Sequence, residues 1–276
     1  MTYPRITLSA LAGLALLSGQ VMAAEAPPST DGHTGGVFTP EQEARIGQVA
    51  ADYLLAHPDI LIQVSQKLQA QQQDRQIKAM TAAVLANQDA LVNDKDNPSY
   101  GPADAKVVLV ELFDYQCVVC SQEAPELEAV MKARPQVRYV FKSWPIFAQR
   151  WENSLKAAQK GLKIWKSAGA DAWLAYHNGI FATGHYEGAL TSEDISSVAA
   201  AALKGHKIGG GGGVNTKTIL DNNNRLAQQL KLQGTPALIV MPVKGATEKN
   251  VTVIPGGAGQ ETLLKAIDKA AGKPQT

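Results

Sequence analysis

Cysteine is almost absent from this chain: 276 residues hold two, Cys117 and Cys120, in one four-residue stretch. A metal site built on them needs further ligands, about four in all. His33, His57, His177, His185 and His206 show no pairing with them at ligand spacing. An excess of one charge is missing too. With 26 basic and 25 acidic residues and a net charge of +1, neither a nucleic-acid-binding surface nor an acidic solvating tail is indicated. Long apolar runs are also lacking. The stretch 6–17 is cut short by Ser18, Gly19 and Gln20, whereas a membrane span needs about 20 apolar residues.

Arg5 ahead of that stretch, and the small-residue sites Val21-Met22-Ala23 and Ala23-Ala24-Glu25-Ala26 after it, predict a secretory signal at 1–23; a membrane anchor is the rival. The mature chain is then expected outside the cytoplasm, where disulfides can form. Residues 24–38 are rich in Pro, Ser, Gly and Thr and read as a flexible leader.

Thr39-Pro40-Glu41-Gln42 has the form of a helix start, with Thr39 as cap and Pro40 at the first helical position. Ile46, Val49, Ala50, Tyr53 and Leu54 share one helical face. After Pro58 a second helix is expected, with Leu61, Val64 and Leu68 on its stripe, a polar middle at 69–76, and a weak continuation through Ile77, Met80, Val84 and Leu91. A helix apolar at its ends and polar between them needs a partner or serves as a spacer. Residues 39–97 are therefore expected to form a helical oligomerisation arm, with a hairpin folded back on its own domain as the alternative. The heptads are too broken to choose between dimer and trimer.

Residues 93–105 read as a linker, with the second domain at 98–276. Strand 106–113 is nearly continuous and apolar, as a buried central strand should be. A helix is predicted from Cys117 to Ala133, then a strand at 137–141. An alanine-rich helical block runs to 232, with loops at Gly184 and at the glycines 209–213. Strands follow at 237–241 and 251–254, then a last helix at about 260–271. The predicted fold class is α/β: a βαβ unit followed by a hairpin and helix in one mixed sheet, with an inserted helical subdomain at about 150–225. The five glycines are no phosphate loop, because neither a preceding strand nor a following Lys-Ser/Thr is present.

Cys117-Val118-Val119-Cys120 lies where the buried strand gives way to a helix. Free N–H groups and the dipole at a helix start favour a negative sulfur at Cys117. Cys120, one turn on, can resolve a mixed disulfide formed there, which completes a dithiol exchange mechanism. The rivals are a metal site, two unpaired buried thiols, and a structural bridge, although so short a loop gains little by closure.

The segment Phe113-Asp114-Tyr115-Gln116-Cys117-Val118-Val119-Cys120, with Pro125 beyond it, resembles the active-site segment of thioredoxins and of periplasmic DsbA-like proteins. Residues 139–146 resemble the second strand and turn of the DsbA-like branch, and Gly234-Thr235-Pro236-Ala237 is similar to the segment bearing that fold's cis-proline. The resemblance implies a thioredoxin fold preceded by the helical arm, and a periplasmic oxidoreductase or isomerase that needs no cofactor. Its partners would be exported proteins with cysteines and a membrane redox protein of DsbB or DsbD type. It also implies that Pro236 packs beside the cysteines and leaves the Thr235 backbone free to bind an extended substrate like an added strand. Glu111 holds the position of the family's buried acid, which implies a proton relay to Cys120; a solvent-facing strand end is the bland alternative.

The departures matter as well. Val118-Val119 supplies neither the histidine of DsbA nor the proline of many relatives, and Thr235 resembles the isomerase branch more than the oxidase. A holdase-like chaperone and a redox relay to one dedicated partner, such as a metal-handling protein, remain rival functions. From these departures the reduction potential is expected on the order of −150 to −220 mV. Equilibration with glutathione checks this, and a value as low as thioredoxin's would mark a reductase instead.

Overall fold

The computed structural model describes residues 37–206 and 213–273. The expected signal at 1–23, nearly all of the leader and glycines 209–212 lie outside the described residues. The described chain divides into two compact units, one ending at Ile62 and one beginning at Gln63.

In the first unit, helix α1 (Pro40–Ala56) starts where the sequence places it. Thr39 accepts from the Gln42 N–H while Gln42 Oε1 accepts from the Thr39 N–H, a reciprocal cap. No residue of α1 is buried; Ile46, Val49 and Tyr53 are exposed. Helix α2 (Asp59–Ala86) begins after Pro58.

The second unit is built on a five-stranded sheet. Its strands are β1 (Ser99–Tyr100), β2 (Val107–Phe113), β3 (Arg138–Ser143), β4 (Ala237–Pro242) and β5 (Thr252–Pro255), in the order β1-β3-β2-β4-β5. β2 runs parallel to β3 and antiparallel to β4, and β4 pairs antiparallel with β5. The remaining helices are α3 (Gln88–Val92), α4 (Val118–Ala133), α5 (Glu152–Ala182), α6 (Ser192–Ala202), α7 (Thr216–Gln229) and α8 (Gln260–Ala270). α5 carries an internal kink at Gly169, whose φ of 83° suits glycine.

Strand periodicity divides β2 between two cores. Val107, Leu109 and Phe113 pack with residues of α4, α5, α6 and α8. Val108, Val110 and Leu112 pack on the opposite face with Met80, Val84, Leu91 and Val92, and with Leu226 of α7. The inserted helices thus cover both faces. Glu111 falls in the odd-numbered series, on the α4 side.

The second core moves the border expected at 97/98. The end of α2 and all of α3 are already part of the sheet-bearing unit. Asn97 exchanges hydrogen bonds with Asn223, and the buried Lys142 ammonium meets Asp94 at 2.6 Å. The weak apolar spacing of Ile77, Met80, Val84 and Leu91 is therefore core spacing. The short edge strand β1 lies inside the stretch read as linker; two residues are too few to show alternation.

Burial holds Lys142 below the ordinary lysine range, with Asp94 pulling against it. Burial also pushes the Asp94 carboxyl up, but Lys142 and hydrogen bonds from Asp96 and Asn97 carry it below its ordinary value. Asp94→Ala leaves a buried ammonium unpaired and is expected to cost about 3 kcal/mol, read from the urea midpoint. Because the Asp94 carboxyl is depressed in the fold, its contribution is present at neutral pH and lost as pH falls through that lowered value.

Candidate active site

The site grows from the C-terminal end of β2. Asp114, just past the strand, is buried and fixes the turn. Its carboxylate accepts from the N–H groups of Gln116 and Phe147 and from the Ser154 hydroxyl, and its carbonyl accepts from the Cys117 N–H. Gln116 ties this turn to the helical insert: its Oε1 accepts from Gly188 N–H and its carbonyl from Glu187 N–H. Helix α4 then starts with Cys117 as its cap residue in extended conformation. It continues as one helix through Pro125, so the proline does not break it.

Both cysteines are free thiols and both are buried; Cys117 is 5% exposed and Cys120 is 0% exposed. Their chemistry is nevertheless opposite. Hydrogen bonding from Cys120 is the largest influence on Cys117. Burial opposes it, while the N–H groups of Cys120 and Val119 assist, and the thiol comes down to about 6. Cys120 is pushed well above the ordinary thiol range by burial, by its bond to Cys117, and by the charges of Cys117 and Glu111.

Thr235 and Pro236 stand beside Cys117. The Thr235–Pro236 peptide is cis, and the Cys117 Sγ–H donates to the Thr235 carbonyl at 3.2 Å. A cleft of about 550 Å3 opens next to them, lined by Gln73, Gln76, Ile77 and Met80 of α2, residues 233–236, Pro255 and Gly256. Glu111 is 1% exposed, so it is no solvent-facing strand end. Burial, then the charges of Glu123 and Cys117, raise its carboxyl well above the ordinary range. All five residues singled out in the sequence thus lie in this one unit, Cys117 and Thr235 in direct contact.

Three contributors went unread in the sequence. Asp114 was legible as a turn-forming aspartate ahead of a helix. His177 is fully buried among Phe113, Phe141, Trp173 and Phe181, with the Tyr115 hydroxyl 3.4 Å from its Nδ1. Burial drives its pKa down to about 3, so it is neutral and supplies no positive charge to the thiolate. Glu123, one turn past Cys120, carries no local sequence signal.

A mixed sheet in this order, with a dithiol heading the helix that follows its central strand, defines the thioredoxin fold. The thioredoxin family model matches residues 93–255, and the model for the copper resistance protein ScsC N-terminal domain matches residues 42–75. Among solved structures, BcfH of Salmonella enterica Typhimurium is 37% identical, with 83% of this chain and 96% of that chain covered and a TM-score of 0.68. ScsC of Proteus mirabilis in a transitional conformation is 28% identical, covering 86% of this chain and 98% of that one at a TM-score of 0.56. A periplasmic thioredoxin-like protein from Salmonella enterica serovar Typhimurium is 26% identical over 66% of this chain and 95% of that one, at a TM-score of 0.54. No curated protein matches. The chain belongs to the thioredoxin superfamily, among the DsbA-like thiol–disulfide oxidoreductases that carry an amino-terminal arm.

Alkylation should discriminate between the two sulfurs. Cys117 is expected to react with iodoacetamide with a midpoint near pH 6, while Cys120 stays unmodified in the folded protein. Preferential labelling of Cys120 in mildly acidic buffer would reverse the assignment.

Proposed function

We propose that this protein forms and isomerises disulfide bonds in exported proteins, working in the periplasm through the Cys117–Cys120 dithiol. The observation that carries this reading is the division of labour between the sulfurs. Cys117, with its thiol drawn down to about 6, is the attacking thiolate. Cys120, buried and raised, is the resolving thiol. Glu111 is the buried carboxyl that exchanges protons with Cys120, whose charges oppose one another. Thr235 and Pro236 present the substrate: the cleft beside them has room for an extended segment, and the Thr235 carbonyl already accepts from Cys117. The signal-like start supports export, and one of the similar structures is described as periplasmic. A membrane partner of DsbB or DsbD type would recycle the dithiol.

Isomerisation needs repeated attack on a held substrate, which several sites around one cleft would favour. The apolar residues Ile46, Val49, Tyr53, Leu61, Val64 and Leu68 are exposed in the single chain. Identical chains would bury them in a symmetric dimer or trimer. The name of the arm's family model, copper resistance protein ScsC, favours one second reading, a redox relay to a metal-handling partner.

The test compares the full protein with a chain beginning at Gln63, which keeps the second unit whole. Light scattering should find a dimer or trimer for the first and a monomer for the second. The shorter chain should still exchange small disulfides but lose reactivation of scrambled substrates. A monomeric full protein, or equal isomerisation by both, would end the assembly argument; no activity on any generic substrate would favour the dedicated relay.

A further inference from the structure

The proton that Cys120 gives up has a way into the fold at Glu111 but no evident way out. Glu111 sits mid-strand on β2, fully buried, and its Oε2 has no hydrogen-bond partner. Among the described residues no lysine or arginine forms an ion pair with it. A second carboxylate stands nearby. Glu123 lies three residues past Cys120, so it falls on the same side of α4. It is 3% exposed. Its Oε2 accepts from the Ala258 N–H, and its Oε1 is buried without a partner. A Cβ placed on Gly257 would lie 3.0 Å from Glu123 Oε2, 3.0 Å from Val119 Cγ1 and 3.9 Å from Pro236 Cγ. The carboxylate is therefore tucked under the rim of the dithiol site, beside Val119, which is 38% exposed and open to solvent.

We propose that Glu123 is the outer member of a two-carboxylate relay that moves protons between Glu111 and solvent while Cys120 exchanges its S–H for an S–S bond. This rests on the oxidoreductase reading above. In the resolving step, Cys120 attacks the Cys117 sulfur of a mixed disulfide. The Cys117–Cys120 bond forms, and the substrate sulfur leaves as thiolate with the electron pair of the broken S–S bond. The Cys120 proton goes to one oxygen of Glu111. The proton already on Glu111 leaves from its other oxygen and reaches Glu123 through a bridging water, because Glu111 Oε2 and Glu123 Oε1 are both buried without a protein partner and do not bond each other. Glu123 then releases it at the rim. Charge balance is kept at every stage, and the reverse step returns a proton by the same route.

The electrostatics agree with this geometry. Burial first and the Glu123 charge second hold the Glu111 carboxyl above its ordinary range. Burial pushes Glu123 up to about 7, against the pull of the Ala258 N–H and with a push from Glu126. The titratable groups around the pair are Cys117, Cys120 and Glu126 on α4 and the Tyr115 phenol, itself raised by burial, by Tyr176 and by Glu111. The loop at 256–259 contributes backbone alone. A carboxyl titrating near neutrality, coupled to one held protonated, is suited to pass on a proton.

Glu123→Gln keeps an acceptor for the Ala258 N–H and removes the proton site. The experiment follows resolution of the Cys117–glutathione mixed disulfide in the full protein as a function of pH, monitoring glutathione release. The natural protein should speed up as pH rises through about 7, where Glu123 ionises. The variant should lose that rise and resolve about tenfold more slowly at mildly alkaline pH. Its Cys117 thiolate absorbance should still titrate near 6, and Glu123→Asp should recover part of the rate. A Gln variant with the natural pH profile would overturn the relay, whatever its melting temperature, and leave Glu123 a tether for the loop. Should the variant not fold, the carboxylic-acid infrared band of the natural protein decides: a carboxyl titrating near 7 that shifts when the Cys117–Cys120 disulfide forms upholds the relay, and none titrating there overturns it. A natural protein unable to resolve the mixed disulfide at all would sink the oxidoreductase reading and the relay with it.

Discussion

Everything at this site depends on keeping one sulfur both buried and negatively charged. Burial alone pushes a thiol towards its neutral form, and Cys117 is nearly as buried as the core around it. What reverses the balance is a set of donors: the Cys120 thiol and the N–H groups of Val119 and Cys120. None of these is free to drift. The N–H groups are fixed by the helix start and the helix start by the Asp114 turn, while the strand that pairs with β2 holds the Thr235 carbonyl against Cys117. The sheet order thus has a chemical purpose, because β4 beside β2 sets the 235–236 loop against the head of α4.

The same donors set how oxidising the dithiol can be. A thiolate stabilised more than its ordinary thiol makes the reduced form more stable, and so makes the disulfide a better oxidant. The Cys117 value of about 6 lies between the roughly 7 of thioredoxin and the roughly 3.5 of DsbA. Two valines between the cysteines add no charge, and the nearest buried histidine is held neutral. Backbone N–H groups and the Cys120 thiol do the stabilising here.

The dithiol, the strand before it and the helix after it were legible because each rests on local pattern: an unbroken apolar strand, two cysteines one turn apart, a capping residue. The capping box at Thr39 was legible for the same reason, since its partner Gln42 is three residues away. Contacts of long sequence separation were not. Asp94 with Lys142, Asn97 with Asn223, and Gln116 with Gly188 join residues that nothing in the sequence pairs. Lys142 in particular is fully buried on β3 and finds its counter-charge in Asp94, far away in sequence. Glu123 escaped notice because an acid on a helix is ordinary; only its burial and its neighbours distinguish it.

Helix α2 shows how one element can hold two kinds of apolar residue with one periodicity. Leu61, Val64 and Leu68 are half exposed, whereas Met80 and Val84 are fully buried. Between them lies the glutamine-rich polar stretch 69–76, which can remain solvated in a helix and asks for no cover. In sequence the two apolar groups look alike, and reading them together stretched the expected arm to residue 97. Burial separates them: the later group is spent on the sheet, with Leu91 and Val92 of α3, and has nothing left to offer a partner chain. Of these two groups, the earlier one, with α1, keeps its apolar surface exposed. The apolar surface that a symmetric interface between copies would use therefore lies in the first thirty or so residues of the helical arm, a stretch that overlaps the match of the family model for the ScsC amino-terminal domain at 42–75.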